Sequence, residues 1–315
     1  MRNGLPPLLT VLLILGSAAP AWSKEDVQPE PDAAARAIAS QVPDTDIFLL
    51  AIGVDGEPDK TSLRNLTRRN GYDNQPAFLP GGESLLFSAI GEDLQADVYR
   101  LNLASGDLRQ LTHTPESEYS PTPLRDGGFS VERVESDGAQ QLWRYTDDGR
   151  PEARLLHQFD NVGYHRWLSP ERLAVFLVAE PMELVLATLD EAPVVPVATG
   201  IGRSFVQQPG SGRLYFLSEL QDGRWQLHSR EDASGESISH LDAPGQSQDM
   251  ALDRRGRIWM ASNAALWRWQ PGQEDWLMVI DFGKALPGGI TRLAFSEDDS
   301  SLAMVVSIAA GTKSE

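Results

Sequence analysis

Apolar residues in this chain come in short runs, each cut off by a turn dipeptide. Leu85-Leu86-Phe87, Asp97-Val98-Tyr99-Arg100-Leu101, Leu173-Ala174-Val175-Phe176-Leu177 and Leu214-Tyr215-Phe216-Leu217 alternate with period two or are rich in β-branched and aromatic side chains. Both patterns belong to strands of a half-buried or buried sheet. Between the runs stand five Asp-Gly pairs (beginning at Asp55, Asp126, Asp137, Asp148 and Asp222) and five Pro-Gly pairs (at Pro80, Pro209, Pro244, Pro271 and Pro287). Asp-Gly supplies the positive φ angles that tight hairpins require. No segment after Ser40 keeps a 3.6-residue apolar stripe, so the pattern predicts an all-β chain.

The hairpins recur in register. A turn followed by an apolar strand occurs at Phe78–Phe87, Pro123–Val131, Trp167–Val175, Gln207–Phe216, Leu252–Trp259 and Phe295–Ala303. Aligning Gly82, Gly127, Glu171, Gly212, Gly256 and Asp299 gives steps of 45, 44, 41, 44 and 43 residues. A period of this length with four strand-sized runs per unit is the signature of propeller blades. The pattern predicts a six-bladed β-propeller over residues 46–309. The last marker is followed by a single strand, Leu302 to Ile308, and the hairpin of Ile47 to Ile52 and Leu63 to Leu66 precedes the first. Pairing these N- and C-terminal strands completes a four-stranded blade and leaves no open seam.

Leu111-Thr112, the turns Pro80-Gly81-Gly82 and Arg125-Asp126-Gly127-Gly128, and Asp97-Val98-Tyr99 followed by Ser105-Gly106-Asp107 resemble TolB-type (WD40-like) propeller repeats. The resemblance covers roughly residues 46–308, without the separate N-terminal domain that TolB carries. It implies the propeller fold, while TolB's own role in an envelope-spanning complex is not implied; a rigid disc with variable loops at both faces suits a binding or scaffolding role.

Outside the repeats, residues 1–23 join Arg2 to an apolar run, Leu5 to Leu15, and then to Ala19-Pro20-Ala21. That order is the form of a secretory signal, and the run is too short to span a bilayer, which needs about 20 residues. Residues 24–45 read as an acidic, Ala-rich linker and residues 310–315 as a C-terminal tail. Export to a bacterial periplasm, or secretion, is the expectation; the absence of cysteine leaves stability to the core. It also excludes thiolate zinc sites and Cys nucleophiles.

The charge, 27 basic against 45 acidic side chains and −18 overall, excludes general nucleic-acid binding, which needs a basic face. No Gly-x-Ser-x-Gly elbow, His-Glu-x-x-His, phosphate loop or Gly-x-Gly-x-x-Gly is present. Catalysis is therefore not required by any motif, and no cofactor is expected. What remains is the axis, where the inner strand of each blade gathers residues distant in sequence. Three readings compete there. Tyr164, His165, Arg203 and Arg292 form a candidate mouth for an anionic group, held by charge-assisted bonds. Alternatively Asp73, Asn74, Glu118 and Asp249 supply oxygens to calcium, for a lactonase- or esterase-type hydrolase. The plainest reading is a set of solvated channel residues bonded to neighbouring blades. The expected molecule is a monomeric, non-enzymatic binding or scaffold protein, whose partner is an envelope protein or a small anionic ligand.

Overall fold

A computed structural model describes residues 42–91, 94–231 and 235–308. The predicted signal, most of the linker and the C-terminal tail lie outside them. The described residues form six four-stranded antiparallel sheets and one short 3-10 turn at Gly283–Ala285.

Five blades follow the chain. Blade 1 is β3 (Asp73–Phe78), β4 (Ser84–Ile90), β5 (Ala96–Asn102) and β6 (Leu108–Gln110). Blade 2 is β7 (Ser117–Pro123), β8 (Phe129–Val134), β9 (Gln140–Tyr145) and β10 (Pro151–Leu155). Blade 3 runs from β11 (Val162–Ser169) through β12 (Arg172–Leu177) and β13 (Glu183–Thr188) to β14 (Val195–Thr199). Blade 4 holds β15 (Ile201–Gln207), β16 (Leu214–Glu219), β17 (Trp225–Arg230) and β18 (Ser237–Asp242). Blade 5 holds β19 (Met250–Leu252), β20 (Ile258–Ser262), β21 (Ala265–Trp269) and β22 (Leu277–Asp281).

The sixth blade is the predicted closure. Its strand order is β2-β1-β24-β23, with β1 (Thr45–Ile52) and β2 (Pro58–Asn65) from one end of the chain and β23 (Ile290–Phe295) and β24 (Ser301–Ser307) from the other. β1 and β24 pair without a register break from Thr45↔Ser307 to Ala51↔Ser301. The six markers all fall in the turn between the first and second strands of a blade. Five of them have positive φ; the last, Asp299 at +60°, occupies the left-handed region that its short polar side chain tolerates.

The core is six-fold as well. Among the described residues, one apolar cluster lies between each pair of neighbouring blades. Strand alternation sends successive side chains of β24 to different clusters. Leu302, Met304 and Val306 pack toward blade 5, with Trp259 and Phe48, whereas Ala303 and Val305 pack toward blade 1, with Leu85 and Phe87. All five residues are fully buried. Each such large aliphatic side chain contributes about 1.5–3 kcal/mol, so closure rests on both faces of one strand.

Candidate functional site

The inner strands of the blades do not run smoothly past the axis. Five of them break register with their partner strand in their first half: between Asn74 and Ala77, Tyr119 and Thr122, Val162 and Tyr164, Ile201 and Phe205, and Ile290 and Arg292. In blade 5 the inner strand begins only after this level, at Met250. Bulges of this kind re-aim side chains. Gln75 and Ser120 sit at theirs with φ of 56° and 50°, and the Ser120 N–H donates to Gln75 Oε1 at 2.9 Å. In blade 3 the bulge carries Gly163, where a Cβ would lie 2.8 Å from the Phe176 ring. Glycine allows β11 to press on β12 there and places Tyr164 and Arg166 at the axis.

The re-aimed side chains meet across the centre. Arg292 Nη2 of blade 6 donates to the Tyr164 hydroxyl of blade 3 at 3.0 Å. These blades stand opposite one another in the ring, so this bond spans the channel. The guanidinium also lies 5.1 Å from the Tyr164 ring centre. Arg203 Nη2 of blade 4 reaches the Thr291 carbonyl of blade 6 at 2.8 Å. Asp249 from blade 5 accepts the Leu293 N–H at 2.7 Å and stands 3.7 Å from Arg292 Nη1. Behind this floor Tyr72, Tyr119, Ile90, Ala96 and Val134 form a further buried cluster, with Val42 against it.

On the other side lies a cavity of about 530 Å3. Its lining starts in each blade at the level of Gln75, Ser120, Tyr164, Arg203, Asp249 and Arg292 and runs along the inner strands to Pro209, Arg254 and Asp299 in the connecting turns. It runs from the level of the Arg292–Tyr164 bond toward the face that carries the six markers.

Electrostatics follow from burial. It works against the charge of Arg292, but Tyr164, Asp249 and Tyr72 more than offset it and the pKa is raised. The Arg203 pKa is lowered by burial and by the like charge of Arg292. Arg203 Nε is buried with no acceptor, an arrangement proteins avoid unless something else supplies one. Burial raises the Asp249 pKa against the pull of Arg292 and Arg203, and pushes Tyr72 up to about 12.

Arg166, next in sequence to the candidates Tyr164 and His165, is a residue that sequence reasoning missed. It lines the same cavity, two places past Tyr164 on β11. It stays open to water there, yet protein crowds it closely enough for burial to lower its pKa. No hydrogen-bond or ion-pair partner engages it among the described residues. The signal was the alternation itself, since residues 164 and 166 of a strand share a face.

Of the anion candidates, Tyr164, Arg203 and Arg292 converge. His165 borders the cavity, but its ring turns into the seam between blades 2 and 3. Nδ1 pairs with the Glu132 carboxylate, and Nε2 lies 2.6 Å from Ser130 Oγ, which also accepts the Trp167 indole N–H at 2.9 Å. A carboxylate at Nδ1 calls for the proton there and leaves Nε2 to accept the Ser130 hydroxyl. The connectivity is that of a Ser-His-acid triad, but Ser130 is 0% exposed, beyond reach of a substrate. The three residues tie β11 to β8.

The calcium candidates stay apart. Asp73 is fully buried against Arg69, with 2.5 Å between Nη2 and Oδ1. Asn74 Oδ1 accepts the Gln75 N–H. Glu118 accepts Thr114 and Tyr145 hydroxyls inside blade 2, and Asp249 alone reaches the cavity. Among the described residues no three His, Asp or Glu side chains converge in a metal-holding group. This donor set does not fit calcium.

At the level of sequence no family model and no curated protein matches the chain. Solved structures do. A TolB structure from Agrobacterium tumefaciens superposes with a TM-score of 0.65 at 13% identity, over 85% of this chain and 99% of that one. TolB from Acinetobacter baumannii gives 0.54 at 11% identity, over 88% of this chain and 67% of its own. An oligogalacturonate lyase in complex with manganese gives 0.55 at 12% identity, over 82% and 84%. The chain has the fold of the TolB-like six-bladed β-propellers.

Proposed function

We propose that the chain is a non-catalytic recognition module whose axial cavity holds an anionic group of a small ligand or protein partner. The observation that carries this reading is a charge imbalance. Three guanidiniums, of Arg166, Arg203 and Arg292, line the inner strands of the cavity with one carboxylate among them, Asp249, while the turns toward the mouth add Arg254 together with Asp253, Glu297 and Asp299. In a chain of net charge −18 a cationic inner end to the cavity is not a by-product of composition. A low-dielectric, preformed pocket strengthens charge-assisted bonds to an entering anion. Export is part of the proposal and rests on residues 1–23; among the described residues no helix is long and apolar enough to cross a membrane.

A catalytic alternative draws support from one neighbour, the lyase, whose named substrate is itself an acidic oligosaccharide. Its metal-assisted form would need donors that stand apart in this chain. The test is a thermal-shift and calorimetric screen of the purified protein against carboxylates, phosphate, sulfate and calcium. Carboxylates are expected to raise the melting temperature, and Arg203→Ala to remove the effect. A calcium response abolished by Asp249→Asn, with no response to anions, would overturn the proposal in favour of the metal-assisted reading.

A further inference from the structure

The cavity's cations differ in how they are balanced, and the difference bears on what kind of anion fits. Arg292 has a carboxylate, Asp249, 3.7 Å from Nη1, and gives Nη2 to Tyr164. Arg203 spends one N–H on the Thr291 carbonyl and keeps Nε buried and unpartnered. Arg166 has no partner among the described residues. Asp249 is thus shared between Arg292 and Arg203, Arg166 has no carboxylate partner among the described residues, and two positive charges stand in excess on the inner strands.

These two are not one cluster. Arg203 lies at the floor, close enough to Arg292 to feel its like charge. Arg166 is two residues along β11 from Tyr164, which touches Arg292, and this places it roughly 7 Å nearer the mouth at strand rise. A single phosphate or sulfate suits two guanidiniums that converge on one point. Two that are staggered along a pocket suit two acidic groups. The cavity lining also carries Pro76, Phe78, Pro121 and Phe205, apolar groups for an uncharged spacer.

We infer that the ligand is an organic dianion with two carboxylate-type groups at the ends of a neutral body. The inner group sits on Arg203, with Arg292 flanking, and the outer group on Arg166. This rests on the anion reading of the same cavity.

The experiment is calorimetric titration of the full-length mature protein with succinate, adipate and suberate, with hexanoate as single-charge control and inorganic phosphate as compact dianion. Adipate or suberate is expected to bind at least about tenfold more tightly than hexanoate, the worth of one charge-assisted contact. Arg166→Ala should bring the dicarboxylate down to the hexanoate level and weaken hexanoate much less than it weakens the dicarboxylate. Arg166→Gln, which keeps most of the side-chain volume, should do the same, and Arg203→Ala should weaken both. Unchanged melting temperatures establish that the variants fold. Equal binding of hexanoate and dicarboxylates by the native protein would overturn the two-group inference while leaving the anion site standing. So would phosphate binding most tightly and needing both arginines. Absence of binding by every anion would overturn the anion reading itself.

Discussion

Two groups of three arginines occupy neighbouring parts of this propeller and differ in one respect. Those of blade 5 are satisfied. Arg255 donates to the Val54 and Asp55 carbonyls in the β1–β2 turn, and Arg257 holds Asp253 at 2.6 Å and the Gly56 carbonyl at 3.2 Å. Arg268 reaches Glu57 at 2.8 Å and the same Gly56 carbonyl. Asp253, only 2% exposed, also accepts the Trp259 indole N–H at 2.8 Å. This group clasps the N-terminal hairpin to the rest of the ring. The axial group, Arg166, Arg203 and Arg292, has the same residue type at comparable depth but too few acceptors. Complete pairing fits the clasp's structural role, and incomplete pairing at the axis is the observation on which the proposed anion site rests.

The contrast is sharpest in stability. Arg257→Ala strands a buried Asp253 and should lower the unfolding free energy by about 3–5 kcal/mol, the cost of breaking a buried ion pair. Arg203→Ala removes a buried cation lacking a carboxylate of its own and should leave stability within about 1 kcal/mol of the parent or raise it. Urea denaturation of both variants makes the comparison; equal losses would place the axial arginines in the same structural class as the clasp.

A buried acid outside both groups gives a pH test. Burial raises the Glu118 carboxyl from 4.5 to about 7, with the Thr114, Thr112 and Tyr145 hydroxyls opposing it. The folded state thus holds a proton that the unfolded chain releases near 4.5. Stability from this group is complete below that value and declines as pH rises through about 7. The shift corresponds to about 3 kcal/mol. Melting temperature measured from pH 4.5 to 8 should fall, and Glu118→Gln should flatten the profile over that window. A profile the variant leaves unchanged would remove Glu118 as the cause.

His165 tests how the site is positioned. It lies between Tyr164 and Arg166, and its bonds to Glu132 and Ser130 hold β11 in place. His165→Gln should cost about 1–3 kcal/mol, as expected for a buried polar group losing part of its bonding. It should weaken anion binding less than Arg203→Ala does. Binding lost entirely at preserved stability would instead mean that His165 touches the ligand.

The fold was legible because a propeller writes its turns periodically. The markers at Gly82 through Asp299 locate one turn per blade, and the unpaired runs at the two ends require each other. The site was legible in part. Arg203, Arg292 and Tyr164 could be placed at the axis by counting back from the markers. Which way each side chain points depends on bulges, and a bulge is a property of two paired strands, invisible in either alone. Hence His165 turns into the blade seam while Arg166 enters the cavity. Asp73 and Glu118 were hidden for a similar reason. Their partners, Arg69, Thr114 and Tyr145, are ordinary surface-type residues in sequence, and only the packing shows that they take up the carboxylates that calcium would need.

The central claim is that the axial arginines await an anion. Titration of adipate into the native protein and into Arg203→Ala tests it most directly. Saturable binding by the native protein, lost in a variant of unchanged melting temperature, is the predicted result. No heat of binding from the native protein, or equal binding by both, would contradict it.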